Sequence, residues 1–418
     1  MVRSSFSVLA VLLLLATACG SVSAYRGRDY TARYQARSSA AVGTTADAPA
    51  AAARSTDAGR QSRFFNPFNI FTLVKIENFV CAASNGNNGT CYTASECTNL
   101  GGVASGTCAK GYGVCCVFTK TCGETTRLNN TYFVNENYPG SFDSTGSCQL
   151  TVQKLSNNIC QLRLDFDSFV IAQPEPNNHL CQNDQFTVSG AAPVPTICGI
   201  NTGNHMYVDA GTASADTPIT LSFVTTGGSF SRSWKVRVSQ IPCNTIYTAE
   251  SSCLQYFTGI QGTIKSYNFD FQNGAQLSNQ DYTSCVRMER NFCGIQYTPC
   301  GEPGTTREMS FKLNGAEGDS ITAQAGAACD KDWLIIPCAT DNVNQPLTEM
   351  SDGNVCVDRL CGDRFHTLAG TNTSDAVYSF MKPFRLYYHT DAQEGSSETP
   401  DSGNTGFCLN YVQQPCTA

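Results

Sequence analysis

The sequence predicts an all-β, disulfide-dense protein, and three observations carry that prediction. Short runs of alternating apolar residues recur from Thr121 onward: Leu162, Leu164 and Phe166; Ile219, Leu221 and Phe223; Trp234, Val236 and Val238. Period-two alternation, broken by clusters of Gly, Asn, Pro and Ser, reads as half-buried strands of a sandwich or barrel. No amphipathic helix of convincing length interrupts them. The second observation is cysteine. Of 23 in the 418 residues, only Cys19 lies in the N-terminal apolar segment, and the other 22 run from Cys81 to Cys416. An even number at this density fits an oxidising compartment. The third is the N-terminus, where Arg3 precedes an apolar run and Val22-Ser23-Ala24 forms a small-residue cleavage site before Tyr25. That pattern is a secretory signal peptide over 1–24, too short in its apolar part to span a bilayer. A secreted, extracellular protein with no membrane span is expected.

Residues 25–65 are rich in Ala, Arg, Ser and Thr and show no hydrophobic periodicity. Such a segment cannot bury enough apolar surface to offset chain entropy, so it reads as a disordered leader. Its arginines allow two readings, a cleavable pro-segment or a solvated tail. Seven Arg against three Asp give it +4, and Arg3 adds one more. The whole chain carries −7, so the rest holds −12. Nothing here favours nucleic acid as a partner. Four phenylalanines then fall within Phe64–Phe71, just ahead of the first cysteine of the body.

Six cysteines follow closely: Cys81, Cys91, Cys97, Cys108, Cys115 and Cys116. A segment this short, 66–118, cannot build an adequate core and must be held by bridges. The remaining chain divides into 119–243 and 253–418, whose ends are alike: Trp234 to Cys243 beside Gly406 to Cys416, both closing on Pro-Cys. Two tandem copies of one β-domain account for this.

The cysteine order with Asn88-Gly89-Thr90-Cys91 and the terminal Gly113-Val114-Cys115-Cys116 resembles, in compressed form, the clip domain of arthropod secreted serine proteases; a generic small disulfide knot is the other reading. The resemblance implies Cys81–Cys115, Cys91–Cys108 and Cys97–Cys116. The first β-copy opens with Cys122-Gly123-Glu124 and continues with Asn137-Tyr138-Pro139-Gly140, Cys148, Cys181-x-x-Asp184 and Cys198-Gly199. This order resembles a CUB domain. The second copy is more diverged, with Cys253, Asn279 to Cys285, Cys329-x-x-Asp332 and Cys361-Gly362. The arrangement is similar to secreted arthropod CUB proteins without a catalytic domain. It implies two antiparallel jelly-roll sandwiches, with bridges Cys122–Cys148 and Cys181–Cys198 in the first and Cys253–Cys285 and Cys329–Cys361 in the second.

The surplus cysteines follow from strand geometry. Residues facing each other across antiparallel strands keep a constant index sum. Cys293 with Cys416 and Cys300 with Cys408 differ in that sum by one residue, which a bulge can absorb. Cys338–Cys356 nests within Cys329–Cys361. Cys160–Cys243 remains, analogous to Cys293–Cys416.

The chemistry-bearing patterns are sparse. His179, His205, His366 and His389 are the only histidines, and none sits in a serine-protease context. Gly318-Asp319-Ser320 is followed by Ile321 and Thr322, not by the glycines an oxyanion hole needs, so Ser320 is not expected to be catalytic. No HExxH motif occurs, and the glycines after Thr225-Thr226 lack the lysine of a phosphate loop. The chain is read as no enzyme. Calcium is the one cofactor the resemblance implies, through a Glu and two Asp. In the first copy only Asp184 matches, with Ala172 and Thr225 or Thr226 in the other positions, so no calcium is expected there. In the second copy Asp332 and Asp391 match, and Glu317 is the candidate third acid. Sequons place glycans at Asn88, Asn129 and Asn372. The expected function is a secreted binding module whose CUB-like loops recognise an extracellular protein or glycan. The alternative is a regulatory cofactor of an extracellular serine-protease cascade, with a secreted protease as partner.

Overall fold

The computed structural model describes residues 75–211, 217–301, 307–313, 322–341, 357–392 and 404–416, all within one compact unit, Phe71–Ala418. The signal peptide, the leader, the phenylalanine run, Cys19, Glu317, Ser320 and Cys356 lie outside the described residues.

The protein is built almost entirely from strands. A small cysteine-rich region comes first, formed by strands Val80–Ala82, Asn88–Tyr92, Val103–Cys108 and Gly113–Lys120. One short helix, Ala94–Asn99, is started by a capping box in which Thr93 and Glu96 satisfy each other's backbone N–H. Strand Gly113–Lys120 organises this region. Successive side chains of a strand point to opposite faces, so the adjacent Cys115 and Cys116 serve different sides. Cys115 packs with Ala83, Val117 and Tyr132 and is bridged to Cys81. Cys116 packs with Phe118 and is bridged to Cys97. Cys91–Cys108 completes the set.

The same strand continues into the first sandwich. Its first half pairs antiparallel with Asn88–Tyr92, and Phe118–Lys120 pairs parallel with Thr131–Val134. The cysteine-rich region therefore shares one eight-stranded sheet with Thr131–Val134, Ser233–Pro242, Ile159–Val170 and His205–Asp209. A four-stranded sheet of Thr125–Thr126, Gly146–Val152, Ile219–Thr225 and Asp184–Ser189 faces it. Trp234 stacks on Phe223 between the two sheets, with ring centroids 4.2 Å apart. The alternating residues of the sequence, Leu162/Leu164/Phe166, Ile219/Leu221/Phe223 and Trp234/Val236/Val238, are all buried in this core. The register shifts near both ends of the central pair, at Lys235/Val236 and at Ile241/Pro242. Opposite Lys235/Val236 the register skips Asp167, so Phe166 and Phe169 both turn inward although they are three residues apart.

A second sandwich follows. A six-stranded sheet runs Cys253–Phe257, Asp281–Val286, Phe384–His389, Trp333–Ala339, Val357–Gly362, Ala323–Ala325. Against it lies a five-stranded sheet of Gln261–Lys265, Gly406–Pro415, Phe292–Pro299 and Val377–Ser379, with Phe311–Lys312 on the edge of Gly406–Pro415. Phe292–Pro299 and Gly406–Pro415 are direct antiparallel neighbours with a register irregularity between Phe292 and Gly294. Cys300 is joined to Cys408 and Cys293 to Cys416 at the two ends of that pairing. The other bridges are Cys122–Cys148, Cys160–Cys243, Cys181–Cys198, Cys253–Cys285 and Cys329–Cys361. Cys338 is also disulfide-bonded.

The two sandwiches meet through buried polar groups. Asn268 holds a left-handed backbone (φ 60°), which asparagine tolerates. Its N–H donates to Asn201 Oδ1 at 2.8 Å, its Oδ1 accepts from Ile200 N–H at 2.8 Å, and its Nδ2 donates to Gln173 Oε1 at 2.8 Å. Tyr267 O–H donates to the His205 carbonyl at 3.0 Å, and Tyr256 N–H donates to His205 Nε2 at 3.0 Å. Gln161 bonds both backbone groups of Ala249. Gly199, of the Cys198-Gly199 pair, sits at φ 77°, and a Cβ there would come within 2.0 Å of Asn268 Oδ1. The glycine is required twice over, by its conformation and by the close approach.

Two predictions follow from this junction. Gly199→Ala should lower stability by about 2–3 kcal/mol, through overpacking and a strained φ; urea unfolding checks it, and an unchanged midpoint would contradict the contact. His205 is buried and its unprotonated Nε2 accepts from Tyr256 N–H; burial, then the Arg163 charge, push its pKa down to about 4, with Asp165 partly opposing. Below about pH 6.5 the unfolded chain gains a proton that the folded chain refuses, so stability falls as pH drops from about 6.5 towards 4, by about 3 kcal/mol in all. His205→Gln should flatten that part of the pH–stability profile.

Candidate functional site

Two loop ends hold the acids singled out by the sequence. In the second sandwich, Asp332 precedes strand Trp333–Ala339 and Asp391 follows Phe384–His389. The strands pair antiparallel with Trp333 opposite His389, so the residues just beyond that pair must lie side by side. Asp391 N–H donates to Asp332 Oδ1 at 2.9 Å. Asp332 is fully buried and Asp391 half-buried. The end is braced nearby: Trp333 stacks on His389 at 4.1 Å, and the Arg359 guanidinium lies 4.2 Å from the Trp333 ring centroid. Thr390 Oγ1 accepts from Gln280 N–H and donates to the Leu277 carbonyl. The two acidic residues are thus brought side by side through a main-chain bond. Among the described residues no third acid, His or Cys joins them to form a metal-sized cluster.

The equivalent end of the first sandwich is built differently. Asp184 opens strand Asp184–Ser189, and both its oxygens are taken by Arg232. Arg232 Nε donates to Oδ2 at 2.7 Å and Nη2 to Oδ1 at 2.9 Å, with both side chains fully buried. Ala172 N–H adds a 2.7 Å bond to Oδ2. The guanidinium also donates to the Phe230 and Gly228 carbonyls, each at 3.2 Å. Thr225 and Thr226 spend their hydroxyls on main-chain carbonyls of Ser144, Gly146, Gln182 and Asn183. Arg232 is the residue the sequence reading missed. Only its position, two residues before Trp234 and next to the glycine-rich turn, hints at a role; its partner is 48 residues away.

The remaining singled-out residues scatter. His205 lies in the junction, His389 against Trp333, and His366 Nδ1 accepts from Leu368 N–H. His179 is buried. Asn372 is exposed, whereas Asn88 and Asn129 are half-buried along the seam between the cysteine-rich region and the first sandwich. There Thr90, the sequon threonine, is buried and donates to the Asn129 carbonyl. A cavity of about 450 Å³ opens between the sandwiches, with Asp209, Glu250 and Asp281 at its rim and Tyr207 and Leu254 in its wall. Among the described residues no helix is long and apolar enough to cross a membrane.

Residues 250–414 match the family model of the animal CUB domain. No curated protein matches the chain. Among solved structures, it is similar to the CUB1-EGF-CUB2 domains of rat MASP-1, at 13% identity over 69% of this chain and 99% of that one, with a TM-score of 0.22. The CUB1-EGF-CUB2 domain of human MASP-1/3 is similar at 14% identity, covering 68% and 98%, with a TM-score of 0.21. The full extracellular region of zebrafish Gpr126/Adgrg6 is similar at 10% identity, covering 72% and 37%, with a TM-score of 0.22. Likeness of this degree positions no residue.

Removing Arg232 alone would strand a buried carboxylate. Arg232→Gln should therefore destabilise the protein by about 3–5 kcal/mol, and replacing Asp184 and Arg232 together by apolar residues of similar volume should cost far less. Denaturant unfolding of the single and double variants distinguishes this from an ion pair of no consequence.

Proposed function

We propose that this chain is a secreted, non-catalytic binding protein that recognises an extracellular protein or glycan through the loop ends of its two CUB-like sandwiches. The observation that carries the reading is the meeting of Asp332 and Asp391 at the end of two paired strands, inside the region that matches the animal CUB domain. Rigid strands hold the loops, and loops on rigid scaffolds are where binding residues concentrate. CUB domains are in general extracellular binding modules, and the disulfide density fits that setting.

Calcium belongs to this proposal. Asp332 and Asp391 would hold the ion, with Glu317 as the third acid, and the ion would order the surrounding loop against a partner. Calorimetry on the full chain should show calcium uptake. Asp391→Ala keeps the main-chain bond to Asp332 and removes only a carboxylate, so it should weaken binding at least tenfold. Uptake unchanged in that variant would place the ion elsewhere, and no uptake at all would leave the recognition metal-free.

A second reading, regulation of an extracellular serine-protease cascade, is favoured by one feature. The clip-like region is continuous with the first sandwich through strand Gly113–Lys120, so a protease docked on it would be held rigidly against the binding loops. Limited proteolysis within 25–65 that increases affinity for a secreted protease would support it over simple ligand capture.

A further inference from the structure

The first sandwich holds a fixed internal cation against Asp184, the one residue there that matches a calcium ligand of the resemblance. We infer that Arg232 does there what a metal ion would otherwise do, so that the loop end of the first sandwich is assembled and stays ordered without calcium. The argument is geometric. Arg232, its side chain fully sealed from water, ties several pieces of chain together through its guanidinium, its partner Asp184 and its own backbone. It binds both oxygens of Asp184, and through Asp184 Oδ2 it fixes the Ala172 N–H. It donates to the carbonyls of Gly228 and Phe230 in the glycine-rich turn. Its backbone exchanges two hydrogen bonds with Phe142, across the chain from Asp143. Asp143 lies 3.9 Å from Nη1 and accepts from Ser229 Oγ and Phe230 N–H, both at 2.8 Å.

Arg232 and the Ala172 N–H together occupy most of the lone-pair sites of the Asp184 carboxylate, and adding a divalent ion beside Arg232 would oppose like charges in a low-dielectric site. The neighbouring positions agree, since Ala172 offers no side-chain ligand and Thr225 and Thr226 donate their hydroxyls to carbonyls. The difference from a metal lies in control. Calcium can leave when its concentration falls, but a side chain cannot. The first sandwich would thus present a calcium-independent surface whatever the second one does, and this inference stands or falls separately from the calcium reading of Asp332 and Asp391.

Hydrogen exchange on the full chain tests it, because it reports on each loop separately. In the unaltered protein, the amides of Phe142, Ala172 and Phe230 should exchange at the same rate in excess EDTA and in millimolar calcium. Arg232→Gln should speed exchange at all three by at least tenfold. Should that variant fail to fold, the double variant Asp184→Asn with Arg232→Gln removes both charges and should show the same three-site loss. Any calcium-induced protection would be confined to the segments around Asp332 and Asp391, and its presence or absence there judges the other proposal alone. Slower exchange at Phe142, Ala172 and Phe230 on adding calcium to the unaltered protein would overturn the inference. So would a folded variant lacking Arg232 whose exchange rises at only one of the three sites.

Discussion

The alternation of side chains across an extended strand is the constraint on which the rest of this molecule depends. It turns Trp234, Val236 and Val238 into one wall of a core and Ile219, Leu221 and Phe223 into the facing wall. It also sends the adjacent Cys115 and Cys116 to opposite faces, so that a single strand is stapled on both sides. Where the alternation is interrupted, at Asp167, the bulge moves Phe169 to the same side as Phe166, and both join the ring cluster around Phe186 and Phe223.

Continuity between regions comes from backbone and polar contacts together with apolar burial, such as Tyr207 packed on Tyr256. Strand Gly113–Lys120 belongs to the cysteine-rich region at one end and to the first sandwich at the other. Asn268 then closes the gap between the sandwiches with three bonds of 2.8 Å, at a point where only a glycine fits opposite it. Directional bonds of this kind fix relative orientation, because a buried donor or acceptor that loses its partner costs more than a displaced methyl group. The described chain therefore carries its loop ends in a defined relation.

Those loop ends solve one electrostatic problem in two ways. A carboxylate buried at the end of a strand needs compensation. At Asp184 the compensation is built in and permanent. At Asp332 one carboxylate oxygen accepts from the Asp391 N–H, on a residue that is itself acidic. The charge of Asp184 is thus neutralised inside the first sandwich, whereas Asp332 of the second lies beside another acidic residue.

The all-β class, the residues of the core and the facing pairs Cys293–Cys416 and Cys300–Cys408 were legible in the sequence, because each depends on local periodicity or on register along a pair of strands; the other principal pairings came from family resemblance. Leu162, Leu164 and Phe166 could be assigned to one face from spacing alone, whereas Asp332 and Asp391 were singled out only through the family resemblance. The short helix after Thr93 was also written in a local signal, Thr93 with Glu96, though too brief for periodicity to reveal. Arg232 could not be found that way. Its meaning rests on Asp184, Ala172, Gly228 and Phe230 converging in space, and nothing in the spacing of an isolated arginine reports on a partner 48 residues distant. The same holds for His205 and Asn268, ordinary polar residues in sequence that become buried acceptors and donors only when two sandwiches close on them. Periodicity determined which faces are buried; the tertiary structure alone decided which charges and amides met there, because pairing between distant segments is set by how whole sheets pack.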